Sequence, residues 1–573
     1  MTEQPIKRFF SLLSLDKKDI IAICTYSVFG GIIGLSIPLG VQSIINLIAM
    51  GQTTTSWLVL TLLIGLATAI IGILKLQQFN IVERLQRKIF TRSSFEFAYR
   101  IPRLSIEKLK EQYAPELANR FFDTLALQKG LPKIVTDFAD SILQIIFGLI
   151  LLGLYHPIFG VFGIILIFLL LLLIWLTGKN GLKSSLMESK YKYKVAYWLE
   201  ELGRVMSSFK LVGYTDYPLD KTNELTQSYL NYRQKHFSVL RWQLIGVMVL
   251  KTVATASLLL LGGLLVIDNQ INIGQFVAAE IMVIMVLNSL EKIILSMETI
   301  FDVLTSIEKI GMVMDLELEP EKGIDFKSIS QPKTGMRIKA ENLFYQLNSQ
   351  NTPFPIINNI NLDIKAGEKI AITGFNGAGK TALLKILIGL YQNYNGTLCY
   401  NEVPQKGINL TSLRGLMGDY INDEHIFMAS LYKNITLGRE NVSLKDIMDT
   451  CNKIALTDFI QSLPEGLETI LPPEGEGLPQ SVIKKIILAR CIVDNPLLVG
   501  VEPFLNGITD RDRNQIINVL TKGSWTLLAV THLAQFAKRC DRIIVMDKGA
   551  IIFSGSFQEL TKKDYARELF EDY

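Results

Sequence analysis

Long apolar stretches alternate with charged stretches over the first three hundred residues of the chain. Six of the apolar stretches approach or exceed the length of about 20 residues that a helix needs to cross a bilayer. They lie at residues 20–50, 57–82, 134–155, 158–176, 242–267 and 273–290. The run GIILIFLLLLLIWL at 163–176 contains no charged side chain, which disfavours buried helices of a soluble protein. The pattern therefore predicts a membrane α-helical bundle of six transmembrane helices.

The connections between these stretches are of two kinds. Those at 51–56, 156–157 and 268–272 are short and contain no Lys or Arg. The two long connections are rich in basic residues, among them Arg84, Arg87, Lys88, Lys179 and Lys183. Because basic loops remain in the cytoplasm, this asymmetry predicts a multi-pass protein of the plasma (inner) membrane with both termini and both long loops in the cytoplasm. The long loops are further predicted to be helical extensions of the spans.

Three ionisable residues fall deep inside the predicted spans: Lys75, Lys251 and Glu280. A charge in lipid is costly, so these side chains are expected to face the bundle interior or a wet cavity. Two interpretations remain open. The residues line a polar substrate pathway, or they pair with one another, with Lys75 reaching towards the cytoplasmic surface.

The second part of the chain has a different pattern, in which short β-rich runs alternate with helical ones. Such alternation is typical of an α/β domain with a parallel sheet. A charged segment with Pro320, Gly323 and Pro332 precedes it and predicts a linker. The expected division is a transmembrane domain at 1–310, a linker at 311–335 and an α/β P-loop NTPase domain at 336–573.

Composition adds mainly exclusions. The net charge of +4 is mild, and no nucleic-acid partner is expected. Five cysteines lack CxxC spacing and four histidines are scattered, so free thiols and no metal cluster are predicted.

One motif carries specific chemistry. The sequence GFNGAGKT matches G-x4-G-K-[ST], follows the strand-like run KIAIT and opens an apolar helical run. Its glycines let backbone N–H groups surround phosphate oxygens at a helix N-terminus, the lysine reaches the β- and γ-phosphates, and the threonine hydroxyl ligates Mg²⁺. ATP and Mg²⁺ are therefore the expected cofactors. The predicted binding residues are Gly374, Asn376, Gly377, Ala378, Gly379, Lys380 and Thr381.

Further motifs follow in a recognisable order: Leu413-Arg414, Ile426-Phe427, Leu488-Ala489-Arg490 before Pro496, and Val530-Thr531-His532. With the phosphate loop and the tail CDRIIVMDKGAIIFSG, they resemble an ABC ATPase domain. Together with six preceding helices, the resemblance covers almost the whole chain and is to exporter-type half-transporters, possibly of the type I secretion and peptide-exporter branch.

The resemblance implies further site residues. His532 would be the switch histidine that senses the γ-phosphate, and Glu502 a Walker B acid. Asn422 stands where the family has a glutamine that ligates Mg²⁺, and Tyr345 is a candidate to stack on adenine. Thr381, Asn422 and Glu502 would thus form the metal set, with Glu502 and His532 as the catalytic pair. Short coupling helices would lie near 115–123 and 207–214.

Two family motifs are degraded. The LSGGQ signature reads LPQSV at 478–482, and Pro479 has no N–H to donate. In the Walker B segment, a gapless register puts Glu502 on the Mg²⁺-orienting Asp, with Pro503 replacing the catalytic Glu. A one-residue gap instead keeps Glu502 as the catalytic carboxylate, with Val501 replacing the Asp. We favour the gapless register, and either way one acid is missing.

Members of this family work as dimers in which each ATP lies between one phosphate loop and the opposed signature. A heterodimer with a second half-transporter of consensus sequence is therefore favoured over a homodimer. The resemblance implies a subunit of an ATP-driven exporter that moves a substrate out of the cytoplasm. The alternative is a poorly hydrolysing scaffold or regulatory subunit. Besides membrane lipid, the secretion branch would add a periplasmic adaptor and an outer-membrane channel as partners.

Overall fold

The chain folds into two compact units. The computed structural model describes residues 3–49, 55–109, 114–329, 334–346, 355–421 and 425–570. One unit comprises Met1–Leu104 and Glu111–Glu317, and the other comprises Ser105–Lys110 and Leu318–Tyr573. The main division falls inside the predicted linker, but the assignment of the short segment Ser105–Lys110 to the second unit was not anticipated.

Long helices build the first unit, to which all but α5 of the following belong. They are α1 (Glu3–Leu15), α2 (Lys17–Gly34), α3 (Ser36–Ala49), α4 (Thr55–Arg100), α5 (Ile106–Leu109), α6 (Ala114–Asn119), α7 (Asp123–Tyr155), α8 (Pro157–Arg204), α9 (Met206–Val212), α10 (Tyr217–Ile267) and α11 (Ile273–Met314). Helices α4, α8 and α10 contain 46, 48 and 51 residues. The predicted helical extensions therefore form, continuous with the apolar segments.

Six stretches of the described residues are long and apolar enough to cross a membrane: Lys17–Ala49, Thr55–Arg103, Glu116–Tyr155, Pro157–Arg204, Tyr217–Ile267 and Ile273–Met314. The predicted number and order of spans are confirmed. The first span is divided between α2 and α3, because Pro38 has no amide hydrogen to donate to the carbonyl of Gly34.

Helices α7 and α11 approach each other closely at glycines. A Cβ placed on Gly130 would lie 2.3 Å from Cγ2 of Val303 and 3.2 Å from Cγ2 of Thr299. A Cβ on Gly148 would lie 2.6 Å from Cγ2 of Val286. The close approach therefore depends on the missing side chains, as is common between membrane helices.

Gly130→Ala is expected to destabilise the membrane unit by about 1–3 kcal/mol, because the added methyl group overpacks the contact with Val303. Thermal unfolding in lipid measures the effect, and Val303→Ala in the same chain should relieve it. Gly153→Ala is the matched control on α7, since its Cβ would meet no atom within 4 Å. Equal unfolding temperatures for the Gly130 and Gly153 variants would contradict the packing argument.

The second unit is an α/β domain with two main sheets. Its strands are β1 (Ile338–Tyr345), β2 (Ile357–Ile364), β3 (Lys369–Gly374), β4 (Asn395–Tyr400), β5 (Val403–Pro404), β6 (Met417–Tyr420), β7 (Ala429–Ser430), β8 (Ile470–Leu471), β9 (Leu498–Val501), β10 (Thr526–Val530), β11 (Arg542–Asp547) and β12 (Ala550–Gly555). Its helices beyond α5 are α12 (Lys380–Leu387), α13 (Leu410–Arg414), α14 (Leu431–Thr436), α15 (Leu444–Lys453), α16 (Thr457–Ser462), α17 (Gln480–Ile492), α18 (Asp510–Lys522), α19 (Ala534–Ala537) and α20 (Phe557–Leu560).

The larger sheet has the strand order β12-β11-β3-β10-β9-β6. All its neighbours are parallel except β12, which is antiparallel to β11. A second, antiparallel sheet has the order β2-β1-β4-β5. Strands β3, β9 and β10 are buried along their whole length, as expected for central parallel strands.

Candidate functional site

Three predicted site segments lie at one edge of the larger sheet. Strand β10 pairs with β3 on one side and with β9 on the other. Gly374 ends β3, Glu502 directly follows β9, and His532 follows β10 by two residues. Because parallel strands end at the same edge, the structure brings the phosphate loop, the acid and the histidine together there.

The loop after β3 has the backbone geometry of a phosphate cradle. Gly374, Gly377 and Gly379 have φ values of +142°, +76° and +93°. A Cβ on Gly374 would lie 2.1 Å from the carbonyl oxygen of Met546, and one on Gly379 would lie 2.5 Å from that of Ile356. Two of the three glycines are thus required by close backbone contacts as well as by conformation. The loop leads directly into α12, whose first-turn N–H groups favour an anion.

Lys380 is the first residue of α12, and its ammonium is already positioned in the loop. Nζ donates hydrogen bonds to the carbonyl oxygens of Gly374, at 2.7 Å, and Phe375, at 2.8 Å. Burial lowers the pKa of this amine below the ordinary value for lysine. Thr381 is exposed, and Asn376 and Gly377 are exposed beside it, whereas Ala378 is buried. The residues present therefore fit a triphosphate, with the Thr381 hydroxyl accessible to a cation.

Glu502 and His532 line one small cavity of about 20 Å³. That volume is close to the minimum of roughly 10–15 Å³ needed for one water molecule. Glu502 is only 3% exposed, and its backbone N–H donates to the carbonyl of Tyr420 at 2.9 Å. Among the described residues, it is the only carboxylate that lines this cavity. An acid, a histidine and space for one water are the groups that a hydrolytic site requires.

Two family descriptions match the chain. The ABC transporter description matches residues 357–499, and the ABC transporter transmembrane region matches residues 20–290. This chain belongs to the ABC transporter family. A solved bacterial Atm1-family ABC exporter with ATP bound has the same fold, with a TM-score of 0.85 and 17% identity over 96% of this chain and 97% of that one. The chain thus has the fold of an exporter half-transporter, with membrane and ATPase regions fused.

Curated relatives are exporters of proteins and peptides. The leukotoxin export ATP-binding protein LtxB of Aggregatibacter actinomycetemcomitans is 28% identical over 56% of this chain and 45% of its own length. The lactococcin-G-processing and transport ATP-binding protein LagD of Lactococcus lactis subsp. lactis is 24% identical over 55% of this chain and 45% of its own length. This ABC transporter chain therefore matches about half the length of these relatives.

The signature helix of this ABC transporter is present although its motif is degraded. Helix α17 begins at Gln480, directly after the exposed Pro479. The carbonyl of Pro479 accepts the N–H groups of Val482, at 2.9 Å, and Ile483, at 3.2 Å. Since Pro479 itself has no N–H, the segment offers fewer backbone donors to an opposed phosphate than a glycine-rich signature would.

Two of the predicted site residues are not seen in a binding position. Asn422 lies outside the described residues. Tyr345 is 2% exposed, and its ring stacks on Tyr391 with centroids 5.4 Å apart. This conformation presents no ring face to adenine, which argues against the predicted stacking role. Burial, and then the neighbouring Glu107, raise the pKa of the Tyr345 hydroxyl.

Sequence reasoning missed Glu107, which lies in α5. Its Oε2 accepts the backbone N–H groups of Gln392, at 2.9 Å, and Asn393, at 3.0 Å. Segment Ser105–Lys110 thereby belongs to the ATPase unit, whereas the predicted coupling position 115–123 belongs to the membrane unit. The first coupling prediction is therefore corrected to the segment around Glu107.

The ionisable residues of the spans behave differently from one another. Lys251 pairs with Glu291 at 2.9 Å and donates to Asn288 at 3.0 Å, so its charge is balanced by a neighbour rather than by Glu280. Lys75 has no carboxylate within 4 Å among the described residues and lines a cavity. Pairing thus accounts for one of the two lysines only.

Proposed function

We propose that this chain is a subunit of an ATP-driven exporter that moves a substrate out of the cytoplasm across the inner membrane. The observation that supports this most directly is the preformed phosphate loop, with Lys380 held by two carbonyls at the start of α12. Its fusion to six membrane spans provides a means for ATP binding to act on a transport pathway. Both termini and the ATP-binding domain are placed in the cytoplasm by the basic long loops.

ATP with Mg²⁺ is the proposed cofactor. The loop residues Gly374–Thr381 would surround the phosphates, and Thr381, Glu502 and the amide of Asn422 would serve the cation. His532 would contact the γ-phosphate, and Glu502 would orient either the cation or the attacking water. ATP binding and hydrolysis would supply the energy that changes the accessibility of the membrane cavity.

A heterodimer is the proposed assembly. In a homodimer, both phosphate loops would face a segment that begins with Pro479 and lacks the usual donors. A second half-transporter with an intact signature would complete the site built on Lys380 and Glu502. The toxin-exporting relatives make a periplasmic adaptor and an outer-membrane channel reasonable further partners. The competing function, an ATP-binding scaffold, is favoured by the loss of one Walker B acid.

ATP turnover in lipid separates these possibilities. The chain alone is expected to bind ATP with little turnover, and a matching half-transporter is expected to raise turnover. Glu502→Gln should then lower turnover about 10²–10⁴-fold without preventing ATP binding, because it removes the carboxylate beside His532. Glu476→Gln, an exposed acid before α17, is the control. ATP binding without turnover in every pairing would favour the scaffold, and absence of ATP binding would refute both.

A further inference from the structure

A cavity of about 270 Å³ lies inside the membrane unit, between α2, α4, α7 and α11. Its volume exceeds the roughly 150 Å³ of an engineered apolar cavity that admits benzene. Unlike that cavity, it has a polar part, which includes Ser27, Lys75, Gln78, Asp140 and Ser141. A small organic group with polar atoms would therefore fit it.

Asp140 is held in the cavity wall by one of its two oxygens. Oδ1 accepts hydrogen bonds from Ser27 Oγ at 2.6 Å and from Gln78 Nε2 at 3.2 Å. Gln78 Nε2 also donates to Ser27 Oγ at 2.7 Å, which fixes the geometry of the three groups. In the described part of the chain, Oδ2 of Asp140 accepts no hydrogen bond. The carboxylate is thus oriented and retains one oxygen for a donor.

Ser141 gives an independent indication of a polar ligand. Its side chain lines the same cavity and is 1% exposed, and its Oγ has no hydrogen-bond partner among the described residues. Leaving a buried hydroxyl without a partner costs about 1–3 kcal/mol in proteins. A ligand with polar atoms next to Asp140 would satisfy this group.

Lys75 supplies the opposite charge on the cavity wall. The other lysine of the wall, Lys292, is paired with Asp137 at 2.9 Å, whereas Lys75 has no carboxylate within 4 Å among the described residues. The cavity therefore contains one cation and one anion that do not neutralise each other directly. A ligand that carries both an ammonium and an acidic group would complement both.

The rest of the wall is apolar. Helices α2 and α7 run in one direction through the membrane and α4 and α11 in the other, so Leu35, Phe147 and Met282 lie further from the cytoplasmic ends than the polar residues. Gly30 and Gly34 add space, since a Cβ on either would meet no atom within 4 Å. The cavity thus has a charged end and an apolar end.

We propose that this cavity binds a zwitterionic amphiphile, with its ammonium on Asp140 and Ser141, its acidic group on Lys75 and its apolar body between Leu35 and Met282. The inference rests on the proposed export function for its role, since the ligand would be the substrate or a lipid that accompanies it. The same chemistry occurs at the two ends of a short hydrophobic peptide and in the head group of phosphatidylethanolamine.

Binding of leucyl-phenylalanine to the purified full-length chain in phosphatidylcholine nanodiscs tests the peptide source. We expect saturable binding that N-acetylation weakens at least about tenfold, because it removes the ammonium. In Asp140→Asn, which keeps Oδ1 for Ser27 and Gln78, acetylation should change affinity less than about twofold. Amidation of the carboxyl end should show the same relation to Lys75→Gln.

Thermal unfolding tests the lipid source. Replacing part of the phosphatidylcholine by phosphatidylethanolamine should raise the unfolding temperature of the parent chain, and Asp140→Asn should abolish the rise. Gly30→Leu, which fills the cavity, should abolish the response in either experiment, whereas Gly65→Leu on α4 should not, since Gly65 faces open space away from the cavity.

A response in the dipeptide experiment assigns the site to peptides, and a response to phosphatidylethanolamine alone assigns it to lipid. No response in either experiment, or dipeptide binding that is insensitive to acetylation and to Asp140→Asn, would overturn the proposal. Neither measurement uses nucleotide, so such a failure leaves the export function untouched. Conversely, loss of ATP binding or turnover would refute the export function while leaving this binding intact.

Discussion

Lys380→Ala is expected to reduce the affinity of the full-length chain for ATP by about two powers of ten and to abolish any turnover. In the structure the ammonium is held at 2.7 and 2.8 Å from two loop carbonyls, so it is positioned before the nucleotide arrives. A charge-assisted hydrogen bond contributes about 1.5–3 kcal/mol, and each 1.4 kcal/mol changes affinity tenfold. Equilibrium binding of a fluorescent ATP analogue measures the loss.

The control for this experiment is Lys445→Ala, which removes an exposed lysine from α15 in the same domain. It changes the net charge equally and should leave ATP affinity within about twofold. If Lys380→Ala bound ATP as tightly as the Lys445 variant, the triphosphate would not be bound by this loop. The proposed export function would then lose its main support.

Gly374→Ala is expected to destabilise the ATPase unit by about 3–5 kcal/mol. Its φ of +142° is strongly disfavoured for L side chains, and the new Cβ would lie 2.1 Å from the carbonyl oxygen of Met546 on β11. Because β3 pairs with β11, the clash can be relieved only by displacing one of two central strands. Thermal unfolding should shift downwards by roughly 10 °C.

Gly377→Ala separates strain from collision in the same loop. Gly377 has φ of +76°, but its Cβ would meet no atom within 4 Å. Only the backbone strain of about 1 kcal/mol remains, so the unfolding temperature should fall by a few degrees. Comparable shifts for the two variants would show that the approach of Met546 to the loop is not rigid.

Features encoded in a local run of residues were predictable from the sequence. The six spans follow from length and apolar content, and the phosphate loop follows from eight consecutive residues between a strand and a helix. Features that depend on distant partners were not predictable. Glu107 contacts backbone amides 285 and 286 positions away, and nothing in its own neighbourhood indicates this.

The same distinction explains two further differences. Tyr345 was a reasonable stacking candidate from its position after β1, but Tyr391, which covers its ring, is distant in sequence. Lys251 was expected to pair within the spans, yet the choice of Glu291 over Glu280 depends on how α10 and α11 pack. In both cases the residue type was informative and the partner was set by tertiary packing.

The long helices have a mechanical consequence. At 1.5 Å per residue, α4, α8 and α10 are about 70–76 Å long, whereas the hydrocarbon layer accounts for about 30 Å. Each helix can therefore act as a lever with an arm of about 40 Å outside the membrane. Tilting such an arm by 10° displaces its tip by about 7 Å, so small rotations at the cavity correspond to large displacements at the far end.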